Sequence, residues 1–354
     1  MDTDVLIVGA GIIGLSSALA LIQRGAKVTL LERGSVGSES SWAGGGILSP
    51  LCPWDYSNAV TQLTTRGAAL FPTWADALHQ ASGIDPEYTV SGMLVLPPFD
   101  VKAARQWCAA HAVLLQETTH AAHEALFLPN VAQVRNPRLV RALRQQVEAL
   151  GGRIVEQCAV QEIHSEGERV SALYTDQGAF SAQDYIVTAG AWSKQVLGKF
   201  ALQLEIKPMR GQMLLFKFTT PPLRHIVLQQ DLYLIPRRDG HLLVGSTLED
   251  VGFDKGITQT AYAELRQRAE ALLPQLRDMS LLQHWAGLRP GSPHNIPVIG
   301  RHAAMRNLYV NSGHFRYGVT MAPSSVEILL NAMQDKPQPF DVTPYQTGWG
   351  SLPG

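Results

Sequence analysis

The segment Val5–Glu32, VLIVGAGIIGLSSALALIQRGAKVTLLE, decides the fold of this chain. Its first four residues are a short apolar, largely β-branched run, which is typical of a parallel strand buried on both faces. The motif GxGxxG follows, then an apolar spacing typical of a helix packed on a sheet, and then a second apolar run that ends in an acid. Strand, glycine turn, helix, strand and acid in this order predict a dinucleotide-binding βαβ unit.

Each residue type in this unit has a physical reason to be there. Gly9 permits the tight turn, Gly11 lets the backbone approach a pyrophosphate, and Gly14 lets the helix and strand pack closely. The helix N-terminus offers free N–H donors to phosphates, and the carboxylate of Glu32 can accept hydrogen bonds from ribose hydroxyls. The expected cofactor contacts in this unit are Gly9, Gly11, Ile12, Ile13, Gly14, Glu32 and Arg33.

The next segment, residues 38–50, is rich in serine and glycine and reads SESSWAGGGILSP. A flexible linker is one interpretation, but Trp42, Ile47 and Leu48 are unusual in a linker. Three consecutive glycines suit a backbone that lies against a flat ligand, and serine hydroxyls can donate to phosphate oxygens. We therefore expect this segment to contact the dinucleotide.

Composition excludes several classes of protein. The 354 residues include 29 basic and 30 acidic side chains, a net charge of −1, which favours neither nucleic acid nor an anionic membrane as a partner. No apolar run is long enough to predict a membrane span. The three cysteines, Cys52, Cys108 and Cys158, form no CxxC pair, which argues against a disulfide framework and a structural zinc site. We expect a soluble, reduced, cytoplasmic protein without a bound metal.

Two further segments make the pattern specific. They are WAGLRPG at residues 285–291 and GHFRYGVTMAP at residues 313–323, and they occur in that order. Together with SSWAGGGILSP they resemble the FAD-dependent glycine oxidases of the D-amino acid oxidase family. The resemblance covers both ends of the chain and, more thinly, the middle, where residues 185–193 read YIVTAGAWS.

The resemblance implies an α/β fold with a Rossmann-like, doubly wound FAD-binding domain and an inserted α+β substrate domain built on an antiparallel sheet. It assigns residues 1–85, 137–199 and 285–354 to the first domain, and 86–136 and 200–284 to the second. Because all three cysteines precede residue 160, whereas relatives that tether flavin use a cysteine of the C-terminal half, we predict non-covalent FAD. The implied FAD contacts beyond the βαβ unit are Ser40, Ser41, Gly45, Gly46, Ile47, Val160, Gly190, Trp192, His314, Phe315, Arg316, Tyr317, Gly318, Val319 and Thr320.

The resemblance also implies a substrate site. A planar carboxylate is well held by a guanidinium, and Arg289 is similar to the arginine that pairs with the substrate carboxylate in glycine oxidases. Arg316 is similar to a second arginine near substrate and flavin, and Tyr233 to a tyrosine that helps bind the carboxylate. Leu248 occupies a position of the pocket wall where the family often has methionine.

No convincing acid–base pair is visible, which is compatible with direct hydride transfer to the flavin. The implied reaction is oxidative deamination of glycine, and of sarcosine or small D-amino acids, by FAD and dioxygen. Its products are an imine or glyoxylate, ammonia and hydrogen peroxide, and it serves thiazole formation for thiamine. Two alternatives stay open: a related dehydrogenase or cyanide-forming subunit with another electron acceptor, and a non-catalytic FAD-binding scaffold. The family further implies a homo-oligomer, with a tetramer favoured.

Overall fold

A computed structural model describes residues 3–120 and 123–346. The helices are α1 (Ile12–Ile22), α2 (Ser40–Ala43), α3 (Asn58–Ser82), α4 (Val101–Ala110), α5 (Asn136–Ala149), α6 (Ser193–Leu197), α7 (Gln259–Leu272) and α8 (Gly318–Met333). The strands are β1 (Val5–Val8), β2 (Val28–Leu31), β3 (Thr89–Val90), β4 (Met93–Leu96), β5 (Gln116–His120), β6 (His123–Leu128), β7 (Ala132–Gln133), β8 (Arg153–Val155), β9 (Val160–Glu166), β10 (Arg169–Thr175), β11 (Gly178–Phe180), β12 (Asp184–Val187), β13 (Lys207–Lys217), β14 (Ile226–Gln229), β15 (Leu232–Pro236), β16 (His241–Gly245), β17 (Gln283–Gly291), β18 (Val298–Arg301) and β19 (Leu308–Ser312).

The βαβ unit predicted at the start of the chain lies at the centre of a six-stranded sheet. Its strand order is β18-β19-β12-β1-β2-β8, and all neighbours are parallel except β18, which runs antiparallel to β19. Every residue of β1 and β2 is buried, as a strand covered on both faces requires. The chain returns from β1 to β2 through α1, which confirms the predicted unit.

The two faces of this sheet are covered differently. On one face, α1, α3, α5 and α8 pack together over the sheet and share one hydrophobic core. On the other face, Leu6 and Val8 of β1 share a second core with Ile163 and Leu173 of a three-stranded antiparallel sheet, β9–β11. The fold is therefore α/β with a parallel sheet, but strands rather than long helices cover its second face.

A separate eight-stranded sheet has the order β17-β13-β16-β15-β14-β4-β6-β5. Its pairs are antiparallel except β14 with β4. Residues of α7 belong to the core on one face of this sheet and residues of α4 to the core on the other. This is the antiparallel sheet that the sequence predicts. Its edge strand β17 continues to Gly291, across the expected domain boundary at residues 284 and 285, and the division into domains stays a prediction.

Candidate active site

A cavity of about 400 Å³ runs along the carboxyl ends of β1, β2, β12 and β19 and extends to the eight-stranded sheet. Ligands in open α/β sheets bind at this edge of the strands. The cavity brings together predicted residues from distant parts of the chain, namely Gly9, Gly11, Ile12, Ile13, Glu32, Arg33, Ser40, Ser41, Gly45, Gly46, Ile47, Val160, Gly190, Trp192, Tyr233, Arg289, His314, Phe315, Arg316, Tyr317, Gly318 and Val319. Three predicted residues, Gly14, Leu248 and Thr320, do not line it.

The glycine turn after β1 is shaped to admit a phosphate group. Gly9 has φ +101°, a conformation that favours glycine, and α1 begins three residues later. The first N–H of this helix, at Ile12, donates to the hydroxyl of Ser41 at 2.9 Å, so the helix N-terminus and the serine already face one another. Gly14 acts as a spacer, because a Cβ there would lie 1.9 Å from the carbonyl oxygen of Gly9.

Glu32, the acid that follows β2, lies at one end of the cavity. Glu32 is buried, and its carboxylate accepts hydrogen bonds from the N–H of Ala10 at 2.8 Å and of Gly34 at 2.9 Å. Each carboxylate oxygen retains a further acceptor position, which a ribose hydroxyl can use. Close by, the guanidinium of Arg33 lies 3.5 Å from the ring centre of Trp192. The planar groups of Arg33 and Trp192, with the apolar Val160 in the same cavity, are suited to an adenosine.

The other end of the cavity contains buried polar groups that need a ligand. Both amide atoms of Asn311, both of Asn136 and the Nε2 atom of His314 are buried without a hydrogen-bond partner among the described residues. Buried polar groups in native proteins are normally paired. Burial lowers the pKa of His314 to about 3, so its ring is neutral at physiological pH. A flavin ring edge, with its carbonyls and ring nitrogens, would supply the missing partners.

The helix α8 begins at this same end. Its first residues, Gly318 and Val319, line the cavity, so its N-terminus faces the unpartnered groups. The hydroxyl of Thr320 instead donates to the carbonyl of Ile47 at 3.1 Å. Thr320 therefore supports the glycine-rich segment from behind, although we predicted a cofactor contact for it.

Three of the predicted substrate residues, Tyr233, Arg289 and Arg316, line the cavity where it reaches the eight-stranded sheet. Arg289 on β17 donates to the Ser246 hydroxyl at 2.6 Å and to the Thr247 carbonyl at 3.1 Å. Among the described residues, no carboxylate forms an ion pair with Arg289 or with Arg316. Burial lowers the pKa of Arg289, Tyr233 offsets that effect, and Arg316 adds to it by charge repulsion. The arrangement is a partly buried pocket of positive charge.

Gly211 on strand β13 leaves space for the guanidinium of Arg289. A Cβ atom at Gly211 would lie 2.1 Å from one guanidinium nitrogen and 2.3 Å from the other. The glycine thus lets Arg289 lie flat against the neighbouring strand, where Ser246 and Thr247 fix its orientation. The sequence alone did not identify Gly211.

The prediction that Leu248 forms part of the pocket wall is wrong, because Leu248 does not line the cavity. Strand β16 ends at Gly245, and the chain then turns so that Thr247 and Glu249 bond with β13. This turn leaves Leu248 42% exposed and outside the cavity. Ser246 lines the cavity in its place.

Metal and membrane features are also absent from the part of the chain that the structure describes. No cluster of three or more histidine, cysteine, aspartate or glutamate side chains there could hold a metal ion. Within residues 3–120 and 123–346, no helix combines the length and apolar character needed to cross a bilayer.

A dinucleotide cavity at the edge of a parallel sheet, adjoining an antiparallel sheet whose Arg289 has no carboxylate partner among the described residues, defines a flavin-dependent oxidoreductase that takes an anionic substrate. The model of the DAO family, described as FAD dependent oxidoreductase, matches residues 4–331, and the chain belongs to this family. The predicted fold class, the cofactor FAD and the enzyme class are thereby confirmed.

Similar proteins agree with this assignment. The chain is 42% identical to a glycine oxidase of Pseudomonas aeruginosa, with 98% of each chain aligned. It is 33% identical to the bifunctional protein ThiO/ThiG of Synechocystis, over 94% of this chain and 52% of that protein. The crystal structure of glycine oxidase from Geobacillus kaustophilus superposes with a TM-score of 0.92 at 26% identity, and 97% of each chain is covered.

Proposed function

We propose that this protein is an FAD-dependent glycine oxidase that converts glycine, water and dioxygen into glyoxylate, ammonia and hydrogen peroxide. Sarcosine and small D-amino acids are further substrates. The observation that carries this proposal is Arg289, a fixed guanidinium at the end of the FAD cavity that has no carboxylate partner in the described chain. The 42% identity to a glycine oxidase favours glycine among the possible amino acids.

The protein's own contribution begins with binding. An unpaired, partly buried cation is unfavourable, and a substrate carboxylate relieves this cost through charge-assisted hydrogen bonds. Ser246 and Thr247 each take one donor of Arg289 and so set the direction in which its remaining donors face. Tyr233 lines the same part of the cavity and is suited to donate its hydroxyl to the same carboxylate.

Bound FAD would supply the redox chemistry, as acceptor of a hydride from the substrate Cα and as donor of electrons to dioxygen. Gly9, Gly11 and the N-terminus of α1 would hold its pyrophosphate, and Asn311, His314 and the start of α8 would hold the ring edge. What the chain supplies to the chemistry is orientation: anchoring the carboxylate at Arg289 restricts where the Cα–H bond can lie relative to the ring. His314 is neutral, with a pKa of about 3, so it serves as a hydrogen-bonding group and not as a cation.

The test is to supply glycine to the FAD-loaded protein in air and to measure oxygen uptake, hydrogen peroxide and glyoxylate together. We expect one peroxide and one glyoxylate for each glycine consumed. Turnover with an artificial quinone but without oxygen uptake would identify a dehydrogenase. If none of glycine, sarcosine, D-alanine and D-proline is turned over with either acceptor, the remaining alternative is a non-catalytic FAD-binding scaffold.

The remaining properties follow from the same assignment. We propose non-covalent FAD, which acid precipitation should release completely into the supernatant. We propose a homo-oligomer, with a tetramer as the first expectation, to be checked by light scattering. We also propose that the imine product supplies thiazole formation in thiamine biosynthesis, and that the cofactor and substrate domains divide as the sequence predicts. A strain that lacks this protein should then need added thiazole to grow.

A further inference from the structure

The glycine-rich segment that faces the cavity is fixed by its carbonyl groups. The carbonyl of Gly45 accepts a hydrogen bond from Arg237 at 2.7 Å, and the carbonyl of Gly46 accepts one from the N–H of Val134 at 2.9 Å. Leu48 then donates its N–H to the carbonyl of Ala132 at 2.9 Å. The segment is therefore paired along one side with β7 and the residues that follow it.

This pairing decides where the N–H groups point. In a trans peptide the C=O and N–H bonds point in opposite directions, and the peptides of this segment are trans. The N–H groups of Gly46 and Ile47 thus point away from Arg237 and Val134. Neither has a hydrogen-bond partner among the described residues, and both residues line the cavity. Two adjacent donors are presented to whatever occupies this end of the cavity.

Arg237 is an unusual residue to find behind such a segment. It lies directly after β15, is only 4% exposed, and also donates to the Gln133 side chain at 2.7 Å and to the Val134 carbonyl at 2.9 Å. No carboxylate forms an ion pair with it within the described ranges. Burial, with repulsion from Arg135, lowers its pKa to about 10, while the nearby carboxylates of Glu87 and Asp239 act in the opposite direction, so Arg237 stays charged at neutral pH.

A buried cation without a direct ion pair is costly to fold, and simple packing could be achieved by an apolar side chain. The hydrogen bond from Arg237 to the Gly45 carbonyl indicates a function for this charge. A positive charge at the oxygen end of a peptide polarises the group and strengthens the N–H at the other end as a donor. Fixed donors aimed at a place where negative charge develops stabilise that charge, and a flavin ring gains negative charge when it is reduced.

We propose that Arg237 is a positioning residue for FAD, which fixes the Gly45–Gly46 peptide with the Gly46 N–H toward the flavin ring edge and thereby favours the reduced flavin over the oxidised one. The argument rests on the FAD site and not on glycine as the substrate. Arg237 does not line the cavity, so its influence passes through the peptide and the fold of the segment.

The experiment compares Arg237→Met, Arg237→Lys and the matched control Arg238→Met. Arg238 is the next residue, but it is half exposed, and its guanidinium donates to Asp85, Tyr88 and Thr89 at the surface. For each FAD-loaded protein we measure the dissociation constant of FAD by fluorescence and the midpoint potential of the bound flavin with a chemical reductant. Neither readout needs an amino acid substrate, so a failure of glycine turnover would not affect this test.

In Arg237→Met we expect FAD to bind at least about tenfold more weakly, because the charge-assisted hydrogen bond that fixes the Gly45 carbonyl is lost, and the potential to become more negative. Arg237→Lys keeps the charge but loses the planar fork, so its potential should stay closer to that of the wild type while its FAD affinity falls. Arg238→Met should change neither quantity.

An unchanged potential in Arg237→Met would overturn the proposal, whether or not FAD affinity falls, because a purely structural role would change only the affinity. If Arg237→Met does not bind FAD, the Arg237→Lys variant tests whether Arg237 is a positioning residue. An FAD affinity equal to that of the wild type in Arg237→Lys would overturn the positioning role, and a weaker affinity with a retained potential would support it.

Discussion

Replacing Arg289 by methionine tests the substrate site most sharply, because methionine keeps an unbranched apolar side chain and removes only the charge and the donors. The structure shows Arg289 held by Ser246 and Thr247, with no carboxylate partner in the described part of the chain. Two charge-assisted hydrogen bonds to a carboxylate contribute about 1.5–3 kcal/mol each. Since Tyr233 and Arg316 remain beside the substrate, we expect a net loss of about 2–5 kcal/mol in binding.

This loss corresponds to roughly a 30-fold to several-thousand-fold rise in KM for glycine. The same change should appear in the dissociation constant of glycolate, a carboxylate without an amine, measured from the shift of the flavin absorbance. Removing an unpaired buried charge should leave the substrate-free protein at least as stable as the wild type in thermal unfolding. A stable variant with weakened glycolate binding therefore separates the binding role from a folding defect.

The matched control is Arg268→Met on α7, whose guanidinium pairs with Asp231 at the surface at 2.6 Å. It should leave both constants unchanged. If Arg289→Met binds glycolate and glycine within about twofold of the wild type, a difference of only about 0.4 kcal/mol, Arg289 does not hold the carboxylate and the reasoning fails.

Three further predictions concern the cofactor site and pH. Gly11→Ala should fold but bind FAD weakly, because a Cβ there meets the movable Ser41 hydroxyl at 2.9 Å. Gly14→Ala should not fold, because its Cβ would lie 1.9 Å from the backbone oxygen of Gly9. Circular dichroism of the apoprotein and titration with FAD distinguish the two variants, and equal behaviour would contradict the assignment. Gly211→Ala should raise KM for glycine with little change in kcat, since the added Cβ displaces Arg289, and an unchanged KM would show that Arg289 has other room. His314→Asn should make the free energy of unfolding less sensitive to acid. In the wild type the folded pKa of His314, about 3, lies below its unfolded value, so stability is lost as pH falls from about 6.5 towards 3, by up to about 1.4 kcal/mol per pH unit. Urea unfolding at several pH values should therefore show a shallower dependence of stability on pH in the variant than in the wild type.

The part of the site nearest the N-terminus could be predicted from residues alone. Gly9, Gly11, Gly14 and Glu32 lie within one local βαβ unit, where spacing along the chain fixes spacing in space. The structure places Gly9, Gly11 and Glu32 along the cavity, whereas Gly14 has the predicted packing role but does not line the cavity.

The substrate end could not be predicted from local patterns, because its residues come from strands far apart in sequence. Resemblance to a family located Tyr233 and Arg289, and the structure brings both to the cavity. The same resemblance misplaced Leu248, since it could not show that β16 ends at Gly245 and that the chain then turns outward.

The supporting residues were missed for a different physical reason. Asn136 precedes a proline at the start of a helix and looks like an ordinary capping residue, and Arg237 looks like a solvated residue at a hairpin turn. Only the packed structure shows that Asn136 is unpartnered and that Arg237 is buried behind the glycine-rich segment. Burial and unmet hydrogen bonds depend on tertiary packing, and no spacing rule reports them.

The central claim, that this FAD site oxidises a small amino acid held at Arg289, is tested most directly by mixing the FAD-loaded protein with glycine in the absence of air. We predict that the visible absorbance of the flavin bleaches with glycine and returns, with release of peroxide, when air is admitted. Bleaching by a chemical reductant, but by none of glycine, sarcosine, D-alanine and D-proline, would contradict it.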